Sequence, residues 1–283
     1  MARLPLNVSK AIEAWKEISA KTGQSAAVIL AGDPGLVALA QERFSSGGTL
    51  PATWIRPLSD LAGLSSVPGE LVLVFVRPED EPEALAALRQ TVPKGGVIVA
   101  VDEGSAATAK TYRPSRGCTR LSFSDAPGGW RRLFDVCAEV AGEHVVALGR
   151  RYPAIRDAAA KRVIYRTAGQ NALVGLVFFV PGADMPAMTL NQAKMALSIG
   201  TLYGAEIDKE RAVELAGIVG VGLGMRALSR YLARSAPGIA LVTKAAVGYG
   251  ATVALGLGAV RYFASGAPAS TGRVVAWVGA LRR

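Results

Sequence analysis

Apolar residues recur along the chain in two registers, and the change from one to the other divides it. Residues 8–21 place Ile12, Trp15 and Ile18 among lysines and glutamates, a spacing of three that predicts an amphipathic helix, a docking arm ahead of the first domain. The stretch SAAVILAGDPG rises to a short apolar run and falls into a Gly/Pro turn, and LVALAQERF follows with helical spacing. Strand, turn and helix are therefore expected in that order. Further short apolar runs lie at Trp54 and Ile55, at 71–76, at 97–101 and at 121–123, the last three separated by the helix-like EPEALAALRQ and a looser piece. This alternation predicts a mainly parallel sheet covered on both faces. Residues 127–148 are expected to close the domain as one helix.

From Gly149 the short runs give way to long helical stretches. Pro153 suits the first position of a helix, and the prolines at 181 and 186 interrupt it. Thr189 with Gln192 has the spacing of a capping box for a helix running to Leu202, where Tyr203 and Gly204 supply a stop. Asp208 is placed to cap another helix to about Arg234, Pro237 restarts the chain into its longest apolar stretch, and a short helix is expected to end at Arg283. The chain is thus expected to comprise an amphipathic helix over 1–24, an α/β domain over 25–148 and an apolar, glycine-rich helical domain over 149–283, an α/β plus all-α organisation.

Charge sharpens this division. The formal net charge is +10, yet residues 1–149 hold 15 Lys/Arg against 16 Asp/Glu, while residues 150–283 hold 17 against 6. The surplus belongs to the helical half, where it suits an anionic surface. Hydrophobic residues make up 51% of the chain and charged residues only 19%, which points to a bilayer or a large apolar interface. The first residues lack an apolar run long enough for a signal peptide, so a cytoplasmic α/β half is expected. Cys118 and Cys137 have no metal-ligand spacing, and the single histidine, His144, has no partnered nucleophile, so neither a metal site nor an acyl-transfer site is expected.

Over residues 25–148 the order of elements resembles an Era-like small GTPase domain. Such a domain implies a phosphate loop whose backbone N–H groups surround the phosphates, with a Lys for charge and a Ser/Thr for magnesium. Here the loop starts at Gly32, Asp33, Pro34 and Gly35, and aligning Gly32 with the first motif glycine puts Val37, Ala38 and Leu39 where Gly, Lys and Ser/Thr belong. Asp60 and Gly63 match D-x-x-G, whereas Ala100, Val101, Asp102 and Glu103 stand where the guanine-reading N-K-x-D would follow a strand. Gly32, Gly35, Asp60 and Gly63 are therefore degenerate nucleotide-binding positions. The resemblance implies a degenerate P-loop GTPase-like sheet, a pseudo-GTPase with no cofactor.

In the helical half, Arg150, Arg151, Arg156, Lys161, Arg162 and Arg166 face only Asp157, with apolar Ile155, Ala159, Val163 and Ile164 between them. On a helix this gives a basic face beside an apolar one, suited to anionic lipid or to acidic partners from the first domain. No nucleic-acid reader motif is present. Residues 173–183 are strongly apolar but too short to span a bilayer, which takes about 20 residues, and fit a re-entrant segment or core. Glycines at 217, 220, 222 and 224, and at 248, 250, 256 and 258, are expected to allow close helix packing, and Lys244 and Arg261 bracket a stretch fit at most for a thin bilayer.

Residues 150–265 also resemble the uncharacterised helical domain found behind Era-like GTPase domains and in related bacterial inner-membrane proteins. Pro153, Arg156, Asn171, the run from Pro181 to Pro186, Gln192, Met195, Tyr203 and Gly204 carry the likeness. Within it Asp184 is expected to fix the turn between two prolines, and Gln192 to complete a helix cap. The expectation is a non-enzymatic scaffold at the cytoplasmic membrane, peripheral or re-entrant, with anionic membrane lipid and protein as partners. An active GTPase is one such partner and further copies of the chain are another, while nucleic acid is not expected. A weak nucleotide-binding regulator and a soluble oligomer packed through glycine-rich helices are the alternatives.

Overall fold

A computed structural model describes residues 8–22, 26–45, 55–56, 70–89, 96–107, 111–115, 118–177, 185–205 and 240–265. They form two compact units, one of residues 23–159 and the other of residues 1–22 with 160–283. The expected D-x-x-G turn at Asp60 and Gly63, the turn at Asp184, the helix from 208 to 234 with its four glycines, and the helix ending at Arg283 lie outside the described residues.

The first unit is built on strands β1 (Ala27–Gly32), β2 (Ile55–Arg56), β3 (Glu70–Val76), β4 (Gly96–Asp102), β5 (Thr111–Ser115) and β6 (Cys118–Phe123). Their order across the sheet is β2-β1-β3-β4-β6-β5. All pairings are parallel except that of β5 with β6, and β5 was not evident as a strand in the looser piece before Cys118. The central strands are buried on both faces, which is why they read as unbroken apolar runs and not as alternating ones.

Helices α2 (Pro34–Ser45), α3 (Glu81–Arg89), α4 (Pro127–Val140) and α5 (Val145–Arg151) flank the sheet. On one face Val72, Val74, Val76, Val97, Val99 and Val101 pack with Ala84 and Leu88 of α3. On the other, aromatic edges meet faces: Phe75 on Phe123 at 5.7 Å, Phe123 on Trp130 at 5.0 Å and Phe44 on Phe134 at 5.5 Å. The single helix expected over 127–148 is broken at Gly142, whose φ of +56° ends α4 and starts a short 3-10 turn before α5.

At the end of α5, Arg151 and the following Tyr152 bond the start of β1, where it has no partner in β2. Only Leu30 and Ala31 of β1 pair with the two-residue β2. The Val28 N–H donates to the Tyr152 hydroxyl at 3.0 Å, and Arg151 donates to the Ala26 carbonyl at 3.0 Å. Burial pushes the Tyr152 phenol above its ordinary pKa, which keeps it neutral.

The second unit contains α1 (Val8–Thr22), most of α6 (Pro153–Val177), α7 (Met185–Leu202) and α8 (Ala240–Ala264). The expected amphipathic helix forms: Ala14 and Ile18 of α1 are buried in one cluster with Ile164, Met195, Ile199, Ala259 and Phe263. Glu17 pairs with Lys194 at its margin. Helix α7 stops as expected. The Gly204 N–H donates to Thr201 O and the Ala205 N–H to Gly200 O, with Gly204 at φ +78°, the double bond of a Schellman motif. Its start differs from expectation, because the helix begins at Met185 and leaves Thr189 and Gln192 inside it, where no cap is needed.

At α6 and α8 the helices approach closely because side chains are missing. A Cβ on Gly256 would lie 2.5 Å from the Ile164 side chain, and one on Gly248 3.3 Å from Met188. Among the described residues no helix is long and apolar enough to cross a membrane.

In the first unit a Cβ on Gly32 would sit 1.9 Å from the Phe75 carbonyl oxygen, at a φ of +112°. Gly32→Ala should therefore lower stability by about 2–3 kcal/mol. Gly128→Ala, in the first turn of α4 with open space around it, should be neutral or gain up to about 1 kcal/mol. Urea denaturation followed by circular dichroism distinguishes the two.

Candidate functional site

In an open parallel sheet a ligand is expected beyond the carboxyl ends of the strands, where neighbouring connections leave in opposite directions. Here that place is the exit of β1 beside β3. Only Asp33 separates the strand from α2. Its N–H donates to Phe75 O at 2.8 Å, and its own carbonyl accepts the first helical bond, from the Val37 N–H at 2.9 Å. The Asp33 carboxylate then accepts from the Leu36 N–H at 3.0 Å and from Arg77 Nε at 3.1 Å. Asp33 is the N-cap and Pro34 the first helical residue, the arrangement that Asp-Pro favours.

The Leu36 N–H, followed by Arg77, holds the Asp33 carboxyl below the usual carboxylate range against the opposing effect of burial. Backbone donors at the start of a helix are the groups a bound phosphate would use. At α2 a carboxylate of the same chain already faces them. Gly32 lies against the Phe75 backbone, and Val37, buried on α2, stands at the motif's last glycine position. The structure brings Gly32 and Gly35 together around Asp33. Asp60 and Gly63 fall outside the described residues.

Further charged groups at this edge of the sheet pair with one another. Arg120 of β6 donates to both Glu81 oxygens, at 2.8 and 3.1 Å, and to Glu103 at 2.6 Å, while the Ser122 hydroxyl donates to Glu103. Glu81, then Glu103, raises the Arg120 pKa against its partial burial. Asp102, where the N-K-x-D motif would lie, accepts from the Gly104 N–H at 3.1 Å. Among the described residues no group of His, Cys, Asp and Glu is arranged to hold a metal ion. Cys118 and Cys137 are buried and form no disulfide, and burial raises the Cys137 pKa and leaves it unreactive.

The helical unit contains a second polar constellation. Thr252 of α8 is fully buried and its hydroxyl donates to Gly248 O at 2.7 Å. That hydroxyl has one proton, so Asn171 and Gln192 approach it through their NH₂ groups, at 2.9 and 3.1 Å. Asn191 in turn donates to Asn171 Oδ1 at 2.9 Å. Three helices are joined at one hydroxyl whose proton and both lone pairs are used. Asn171 and Gln192, which carry the resemblance in sequence, meet here as a buried amide network.

The six cations of the expected basic face separate. Arg151 is engaged with Ala26 and lies over the Tyr152 ring, and Arg156 is half-buried. Arg150, Lys161, Arg162 and Arg166 are exposed. The apolar residues expected beside them are not a free face: Ile155, Ala159 and Ile164 are core, and Val163 is half-buried. Sequence reasoning missed Asp33 as a cap, though Asp-Pro at a strand end is its signal. Arg77, Arg120 and Thr252 carry no local signal.

Two substitutions test these arrangements. Asp33→Ala should lower stability by about 1 kcal/mol at neutral pH through loss of the cap. Because the folded carboxyl has a depressed pKa, its contribution is present above the unfolded value near 4 and is lost as pH falls through the folded one. The gap between wild type and variant should therefore close in acid, as read by urea midpoints across a pH series. Thr252→Val, which keeps shape but removes the hydroxyl, should cost about 3 kcal/mol by stranding buried amide donors, measured in the same way at pH 7.

No curated protein and no solved structure matches this chain. A family model described as a domain of unknown function (DUF697) matches residues 142–274. The match begins at the 3-10 turn before α5, takes in α6, α7 and α8, and agrees with the uncharacterised helical domain expected there. It does not reach the strands, whose likeness to an Era-like GTPase stands on the sequence pattern alone. The later helices of this chain, including the Asn171, Gln192 and Thr252 network, thus lie within the stretch that this model matches.

Proposed function

We propose that this protein is a non-enzymatic adaptor. Its helical unit associates peripherally with an anionic membrane surface on the cytoplasmic side. Its sheet unit, a GTPase-like fold that no longer takes nucleotide, presents a surface to a protein partner, with an active GTPase as the first to test. The observation that carries this reading is the one-residue turn at Asp33, where a carboxylate of the chain occupies the helix start that a phosphate would need. Val37, Ala38 and Leu39 lie within α2 and offer neither the ammonium nor the hydroxyl that phosphate and magnesium require. The one-sided cation surplus of the helical half supports the membrane part of the reading.

A second reading, a soluble oligomer packed through its helices, is favoured by α8. Its exposed residues include Ala246, Gly250, Ala254 and Leu257, a stripe of small and apolar side chains beside Tyr249.

Titration calorimetry of the full chain with GTP, GDP and ATP in magnesium should give no saturable binding. Micromolar, magnesium-dependent GTP binding would overturn the adaptor reading in favour of a nucleotide-dependent regulator. A defined oligomer in detergent-free sedimentation, from protein that ignores vesicles, would favour the second reading.

A further inference from the structure

Helix α6 is the place where charge and apolar exposure coincide. Each residue turns the helix by about 100° and advances it by about 1.5 Å, so positions 161, 162, 165, 166, 169 and 173 fall within an arc of about 140°. Lys161, Arg162, Tyr165, Arg166 and Leu173 are all exposed in that arc. Tyr165 keeps 50% of its surface exposed and Leu173 62%, the largest exposures among the described large apolar side chains. Across the helix, Ile164, Ala168 and Asn171 are buried. The polarity of α6 is therefore the reverse of a simple basic face with a separate apolar one. The apolar side chains that the sequence placed beside the cations are core, and those that remain exposed share the cations' own face.

A single exposed leucine needs no explanation. Three cations, an aromatic ring and a leucine in one arc do, because no carboxylate lies in that arc and none among the described residues pairs with Lys161, Arg162 or Arg166. Asp157, one turn before Lys161, stands outside its edge. A soluble acidic partner would complement the charges but would give no reason for Leu173 to project among them. An anionic bilayer complements both: phosphodiester groups for the cations, the headgroup level for a tyrosine, and the acyl boundary for a leucine.

We propose that this face of α6 lies flat on an anionic lipid surface, with Lys161, Arg162 and Arg166 on the headgroup phosphates and Tyr165 and Leu173 entering the interface. The inference rests on the membrane part of the proposed function and names the residues that perform it. Tyr165 and Leu173 are about 12 Å apart along the axis, so both reach the interface only when the helix lies parallel to it. The chain would therefore sit on the membrane through one helix face and cross nothing with it.

The test is cosedimentation of the full-length protein with vesicles of phosphatidylcholine containing one-third phosphatidylglycerol, against pure phosphatidylcholine. Wild type should bind the mixed vesicles alone. Leu173→Ser and Tyr165→Ser should each weaken partitioning by about tenfold. Neutralising Lys161, Arg162 and Arg166 together to Gln should weaken it by about a hundredfold, since each cation near such a surface contributes about a factor of five. Arg131→Gln, on the exposed side of α4, should bind as wild type, and unchanged thermal melts confirm that all variants are folded. If wild type binds but the Leu173 and Tyr165 variants bind equally well, the assignment of this face is wrong and the membrane reading survives. If wild type ignores both vesicles, the membrane reading fails and this inference with it.

Discussion

The sheet unit depends on how closely β1 can approach β3 at its exit. Gly32 rests against the Phe75 carbonyl with no room for a Cβ, and the next N–H, that of Asp33, donates to the same oxygen. The chain has therefore turned off the sheet within one residue, and α2 begins at Pro34. A longer loop would leave the first N–H groups of α2 open to a ligand; here the Asp33 carboxylate meets one of them. The early start of α2 also sets the place of Phe44, whose ring stacks edge-on against Phe134 and Tyr152. Tyr152 in turn meets the Val28 N–H, so the closure of this edge runs from the β1 exit back to the β1 start.

The helical unit meets its polar obligations differently. Its helices come close because Gly248 and Gly256 present backbone to their neighbours, and the Asn171 and Gln192 amides between them are buried. Asn171 and Gln192 could not be buried there without partners, since an unmet amide in such a site costs a large share of a marginal stability. Thr252 supplies the shared acceptor. The network is directional: a hydroxyl with one proton dictates which end of each amide faces it. Apolar packing alone would tolerate a slide of α8 along α6, whereas these bonds do not.

The two units therefore use charge in different ways. At the carboxyl edge of the sheet Arg120 is joined to Glu81 and Glu103, and Asp33 to Arg77. Along α6 the cations Lys161, Arg162 and Arg166 project outward.

Much of this architecture is local and could be read from the residues alone. The apolar runs at 71–76 and 97–101 are strands because β-branched, doubly buried segments of that length fit little else, and α7 ends at Gly204 because only a glycine takes that φ cheaply. The absence of a phosphate-loop Lys at Ala38 and the charge asymmetry of the two halves are likewise properties of the sequence. The tertiary structure decided the rest, because it depends on residues far apart in the chain. Asp33 finds Arg77 across 44 positions, Tyr152 finds Val28 across 124 and Thr252 finds Asn171 across 81. The same distance effect inverted α6: periodicity showed that it had an apolar side and a basic side, but Ile164 is covered because α7 and α8 pack against it. A helix fixes the angles between its side chains by itself, and only its neighbours decide which of those angles face water.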